Sequence, residues 1–95
     1  MAYQIEFDKR VTKDLRKLDR KIAESILEQC DSILGKEPLK GSNIEPLKYL
    51  GPGVYRLKIF HVWCIAYKVE QSKIRIVRVA HRREFYKGLA QRFSS

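Results

Sequence analysis

Three observations in the sequence predict an α+β fold: a period-two alternation at the start, two stretches of helical periodicity behind it, and three consecutive strand patterns in the second half. The order strand, helix, helix, three strands lays a two-helix hairpin on one face of an antiparallel meander, with a short helix at the end. A chain of 95 residues falls below the roughly 150 residues of an average domain, so a single domain, 1–95, is expected. Its 44% hydrophobic residues suffice for one small core.

The elements follow in order. Tyr3, Ile5 and Phe7 alternate with Gln4, Glu6 and Asp8, the pattern of a half-buried strand. From Val11 the period lengthens. Val11, Leu15 and Leu18 are spaced i, i+4, i+7, while Lys9, Lys13, Arg16, Lys17 and Arg20 take the other faces, which predicts a basic amphipathic helix. Asp19 can cap a second helix with the stripe Ile22, Ile26, Cys30, Ile33 and Leu34, stopped by Gly35 and Pro38. Residues 36–53 hold Gly41, Ser42, Asn43 and all three prolines, and predict a loop.

Three strands follow. Tyr55, Leu57 and Ile59 oppose Arg56 and Lys58, and Trp63, Ile65, Tyr67 and Val69 oppose Cys64, Ala66 and Lys68. Lys73 to Ala80 is β-branched and mixed on both faces. Tight connections fall near Phe60-His61 and at Glu70-Gln71-Ser72. Phe85, Leu89 and Phe93 mark a terminal helix, weakened by Gly88. The tetrapeptide Glu-Pro-Leu-Lys occurs at Glu37 and again at Glu45, too close together for any repeat architecture.

Twenty Lys and Arg against eleven Asp and Glu leave a formal charge of +9. Such a field attracts nucleic acid, an acidic membrane surface or an acidic protein without choosing between them. Cys30 and Cys64 lie far apart in no ligand spacing, which argues for reduced thiols and neither zinc nor disulfide. The start has no apolar signal region and no window reaches the roughly 18 apolar residues of a span, so a cytoplasmic protein away from membranes is expected. No phosphate-binding glycine loop, metal-ligand spacing or nucleophile elbow occurs, and neither metal nor cofactor is expected.

The strongest chemical cluster is distributed. Arg56 and Lys58 stand on one strand with no carboxylate on that strand to neutralise them, and His81, Arg82, Arg83 and Tyr86 follow the last strand. On a meander these groups can converge on one concave surface, a phosphate site in outline. Metal-free RNA cleavage needs a base for the ribose 2′-hydroxyl, cations for the phosphorane and an acid for the leaving 5′-oxygen. Arg56 and Arg82 suit phosphate oxygens as planar forks, and Lys58 is a mobile point charge. His81 can move a proton, and Tyr86 can stack on a base or polarise the hydroxyl. The alternative is plain: a basic pair on an open strand and a basic helix stripe are ordinary solvated surface, and Tyr86 beside Phe85 is core.

Three segments in order carry a family resemblance: the opening Tyr3-Gln-Ile-Glu-Phe-Asp-Lys with the helix Lys13 to Asp19, then Gly53-Val-Tyr-Arg-Leu-Lys-Ile, then Ile76-Val-Arg-Val-Ala-His-Arg-Arg-Glu-Phe-Tyr. Together they resemble the RelE/ParE toxin superfamily over nearly the whole chain. The resemblance implies a type II toxin–antitoxin toxin. On the RelE branch it implies a metal-independent endoribonuclease that cuts mRNA in the ribosomal A site, leaves 2′,3′-cyclic phosphate and 5′-hydroxyl ends, and stops translation. Arg56, Lys58, Arg82 and Tyr86 fall on that branch's basic strand pair, its basic residue after the last strand and its C-terminal tyrosine.

One position departs, since Cys64 stands where RelE-like members carry an arginine, with Arg78 or His61 as possible substitutes. Glu45-Pro-Leu-Lys resembles a segment of YoeB-like members whose glutamate joins the active site, but the match is short and Glu45 is read as a loop carboxylate outside the site. The implied partners are a cognate antitoxin, the ribosome and mRNA, with Lys9, Lys13, Arg16, Lys17 and Arg20 expected on ribosomal RNA. A monomer when free and a larger complex with antitoxin are expected. A ParE-like gyrase inhibitor and a noncatalytic nucleic-acid-binding module are the alternatives.

Overall fold

The computed structural model describes residues 3–94. Strand β1 (Gln4–Phe7) leads into helices α1 (Val11–Arg16) and α2 (Arg20–Leu34), then β2 (Ile44–Pro46) and a 3-10 turn, Lys48–Leu50. Strands β3 (Val54–Ile59), β4 (Trp63–Glu70) and β5 (Lys73–His81) precede helix α3 (Leu89–Ser94). The expected α+β architecture holds, with two changes in the sheet. It has five strands in the order β1-β5-β4-β3-β2, and β1 joins β5 in parallel while the other pairs are antiparallel.

The extra strand corrects the loop expected over 36–53. Ile44, Glu45 and Pro46 pair with Leu57, Arg56 and Tyr55. Proline costs nothing where its missing N–H faces solvent, so a three-residue edge strand tolerates Pro46 while its composition still looks like a loop. The first helix is shorter than its stripe: α1 ends at Arg16, and Leu18 reaches the core from the turn that follows. Asp19 caps α2 as expected, accepting from the Lys21 N–H at 2.9 Å.

The alternation along β5 breaks because of a bulge. Ala66 pairs with Arg78 but Tyr67 pairs with Ile76, so Val77 is an extra residue. The slip keeps Ile74, Ile76 and Val79 together against α1 and α2, with Leu57, Ile65, Tyr67, Ile26, Cys30 and Leu34. The other sheet face carries a second apolar cluster, in which Val54, Cys64 and Ala66 are covered by Leu47, Phe85 and Leu89. Gly53 is a close approach: its φ is +78°, and a Cβ there would meet the Val69 carbonyl at 2.8 Å. At the β3–β4 tip Phe60 and His61 both take positive φ, 53° and 65°, without glycine.

Beyond Phe7 strand β1 leaves β5, and the open edge of β5 is closed by side chains. The Val79 N–H donates to Asp14 at 3.1 Å and the Val77 carbonyl accepts from Arg92 at 2.9 Å. Asp14 and Arg92 also pair with each other through two bonds of 2.7 and 2.8 Å. This ion pair ties α1 and α3 to the strand.

Candidate functional site

The pairing register decides which groups share a face. Arg56 lies opposite Ala66 and Ala66 opposite Arg78, while Lys58 lies opposite Cys64 and Cys64 opposite Ala80. These side chains therefore occupy the sheet face turned away from α1 and α2. The segment after β5 crosses the same face, burying Phe85 and Leu89 and leaving Tyr86 half exposed.

Arg56 is held from two sides. One terminal nitrogen donates to the Tyr86 hydroxyl at 2.7 Å, and the other meets the Glu45 carboxylate at 2.6 Å. Burial works against its charge, but the bond to Tyr86 and the nearness of Tyr86 and Glu45 raise its affinity for the proton above the ordinary value. Because the phenol oxygen accepts from Arg56, its own O–H is left to donate elsewhere. The strand β2, which composition disguised, is what brings a carboxylate to Arg56.

Lys58 and Arg82 complete the group. Lys58 pairs with Cys64 across β3 and β4, and Arg82 follows the end of β5; burial pushes the buried Cys64 thiol up, and the charges of Arg56, Lys58 and Arg82 act against that rise. Among the described residues neither Lys58 nor Arg82 has an ion-pair partner. The result is a cationic patch with one carboxylate and one phenol beside Arg56. Such a patch can bind a phosphodiester, neutralise added charge and accept a proton.

His81 does not join them. Its strand partner is Trp63, on the line of Ile59 and the helix-side core, and its ring meets Trp63 edge-on at 5.3 Å. It lines a cavity of about 240 Å³ at the edge of β5, between Lys17, Leu18 and Trp63 on the helix side and Arg78, Ala80 and Glu84. The basic stripe also lies on the helix side. Lys9, Lys13, Arg16, Lys17 and Arg20 are all exposed, and Arg20 pairs with Glu24 at 3.1 Å.

The two suggested substitutes for the missing arginine have other places. Arg78 shares the site face but spends a terminal N–H on the Lys87 carbonyl, holding down the C-terminal segment. His61 is exposed at the hairpin tip. Glu45 is the neighbour of Arg56 that composition and spacing missed, and the Glu-Pro-Leu-Lys segment was the one signal for it.

A model of the ParE toxin of type II toxin–antitoxin systems, parDE, matches residues 5–86. The chain belongs to the RelE/ParE toxin superfamily. The matched span contains Glu45, Arg56, Lys58, Arg82 and Tyr86 and stops short of α3. No curated protein sequence matches this RelE/ParE toxin. Among solved structures it is similar to the RelBE2 toxin–antitoxin complex from Mycobacterium tuberculosis, with a TM-score of 0.75 and 25% identity over 86% of this chain and 100% of that one. It is similar to the archaeal RelE–RelB complex from Pyrococcus horikoshii, with a TM-score of 0.70 and 26% identity over 86% of this chain and 97% of that one. The YoeB–YefM complex from Staphylococcus aureus gives 0.63 and 26%, over 84% and 97%.

Proposed function

We propose that this toxin is a ribosome-dependent endoribonuclease that cuts mRNA in the A site without a metal ion. The observation that carries the reading is Arg56 bonded to both Glu45 and Tyr86, with Lys58 on the same strand face and Arg82 just past the end of β5. Glu45 takes the proton from the ribose 2′-hydroxyl as that oxygen attacks phosphorus. Arg56 and Arg82 neutralise the phosphorane, and Lys58 protonates the departing 5′-oxygen. The products are a 2′,3′-cyclic phosphate and a 5′-hydroxyl. Tyr86 donates its free O–H to the ribose or phosphate, and His81, across the sheet, stays outside the chemistry.

A cognate antitoxin restrains the toxin. A charge of +9 favours an acidic segment that folds on binding and sets carboxylates near Arg56, Lys58 and Arg82.

Gyrase inhibition is the second reading. The ParE description of the matching family and the neutral Cys64 favour it. Pulse labelling after induction separates the two. Protein synthesis stopping first, with messages cut at A-site codons, supports the nuclease; DNA synthesis stopping first while translation continues removes it.

A further inference from the structure

The proposed chemistry leaves Tyr49 unused. It stands on the turn Lys48–Leu50, between the strand that carries Glu45 and the strand that carries Arg56. At 69% it is the most exposed large hydrophobic side chain among the described residues. The turn beneath it is anchored: Leu47 is buried and Leu50 packs on the cluster that holds Phe85 and Leu89. The Leu47 N–H bonds to the Val54 carbonyl at 2.9 Å and the Leu50 N–H to the Leu47 carbonyl at 3.0 Å. Tyr49 is thus held out on a fixed turn.

Tyr86 is its companion. It is 49% exposed, and its hydroxyl sits on Arg56. The turn that carries Tyr49 meets the segment that carries Tyr86 in one apolar cluster, where Leu47 and Leu50 pack with Phe85 and Leu89. One exposed ring needs no explanation. Two exposed tyrosines beside a cationic patch match the way proteins take single-stranded RNA, with cations on the backbone and aromatic faces under splayed bases.

We propose that Tyr49 is a base-stacking residue for single-stranded RNA, receiving a nucleotide base next to the phosphate held by Arg56, Lys58 and Arg82. The inference rests on the nuclease reading and adds to it a residue that ranks substrates by stacking. A stacked base is commonly worth enough that its loss weakens binding by about tenfold.

The test uses ribosomes programmed with an A-site codon carrying 2′-deoxyribose, which the toxin cannot cut. Tyr49→Ala should weaken binding to these ribosomes by about tenfold, while Tyr49→Phe and Tyr49→Trp keep it, because both retain an aromatic face. On a codon with an abasic residue at the stacked position, wild type and Tyr49→Ala should bind alike. Thermal melting confirms that the Tyr49→Ala protein is folded, as its exposure leads one to expect. Equal affinity of wild type and Tyr49→Ala on the intact codon overturns the inference while leaving the nuclease reading in place. So does the same loss on both codons, or a loss confined to antitoxin binding. Wild-type protein that does not bind programmed ribosomes overturns both.

Discussion

Glu45 and Arg56 meet at 2.6 Å with the Glu45 side chain still 58% exposed, so the pair is open to substrate on one side. A carboxylate that does proton transfer gives a different signature from one that only orients an arginine. Glu45→Gln keeps a hydrogen bond to Arg56 but loses the base, and should slow single-turnover cleavage by roughly 10²–10³-fold with ribosome affinity unchanged. A fall in affinity at unchanged rate would make Glu45 a partner of Arg56 alone. Arg82→Ala removes a cation from the phosphorane and should cost about 10²–10³-fold in the same step. A different acid, Asp8, governs stability. A side-chain bond from Arg10 holds its carboxyl far below the usual range, against the opposing effect of burial and with help from Arg75. The folded form thus binds its proton more weakly than the unfolded one. The stabilisation is present above about pH 4 and fades as pH falls below it. Asp8→Asn should therefore lower stability by about 2 kcal/mol at neutral pH, and urea titrations of the two proteins should converge in acid.

The element that sets the position of the C-terminal segment is the open edge of β5. Where β1 ends, Asp14 and Arg92 replace a neighbouring strand, satisfying one N–H and one carbonyl while neutralising each other. With side-chain exposures of 7% and 17% the pair is shielded from solvent, and removing one member strands the other. Arg92→Ala should cost about 3 kcal/mol and speed amide exchange through α3, with β4 still protected. Unchanged melting and exchange would mean that Phe85 and Leu89 hold the segment without the pair. Gly88, at φ +68°, lets the chain turn from the Tyr86 segment into α3, so the site and its anchor lie on two sides of one glycine.

At the scale of the whole molecule, positive charge lies on both sides of the sheet. The patch around Cys64 is on one side, and the exposed stripe of Lys9, Lys13, Arg16, Lys17 and Arg20 is on the helix side. On the proposed ribosomal reading, both sides meet RNA. Reversing Lys13, Arg16 and Lys17 together to Glu should weaken ribosome binding and reduce its salt slope by about one per lost phosphate contact. The bond-breaking rate at saturation should stay the same. Equal affinity at two salt concentrations would return the stripe to ordinary solvated surface.

Periodicity alone determined most of the elements: a first strand at Gln4–Phe7, the stripe closed by Asp19 and Gly35, and the strand faces led by Arg56 and Trp63 all appear in the fold, although at the end of the first strand Phe7 is exposed and Asp8 buried. These are local properties, since burial of one face repeats every second residue in a strand and about every 3.6 in a helix. The shared strand face of Arg56 and Lys58 was legible for the same reason, while Arg82 and Tyr86, past the end of β5, were named by the resemblance alone. What depends on pairing was not legible. Only the register put Glu45 opposite Arg56, because a short edge strand containing Pro46 has the composition of a loop until a neighbour bonds to it. Only the register put His81 opposite Trp63, on the far side of the sheet from Lys58, because one residue of offset sends a strand side chain to the other face. Helical spacing did not set Asp14 apart, and its burial against Val79 and Arg92 arises where β1 ends and leaves an edge to be filled. Which residues have strand or helix character is written along the chain; which of them touch is set by hydrogen-bond partners distant in sequence.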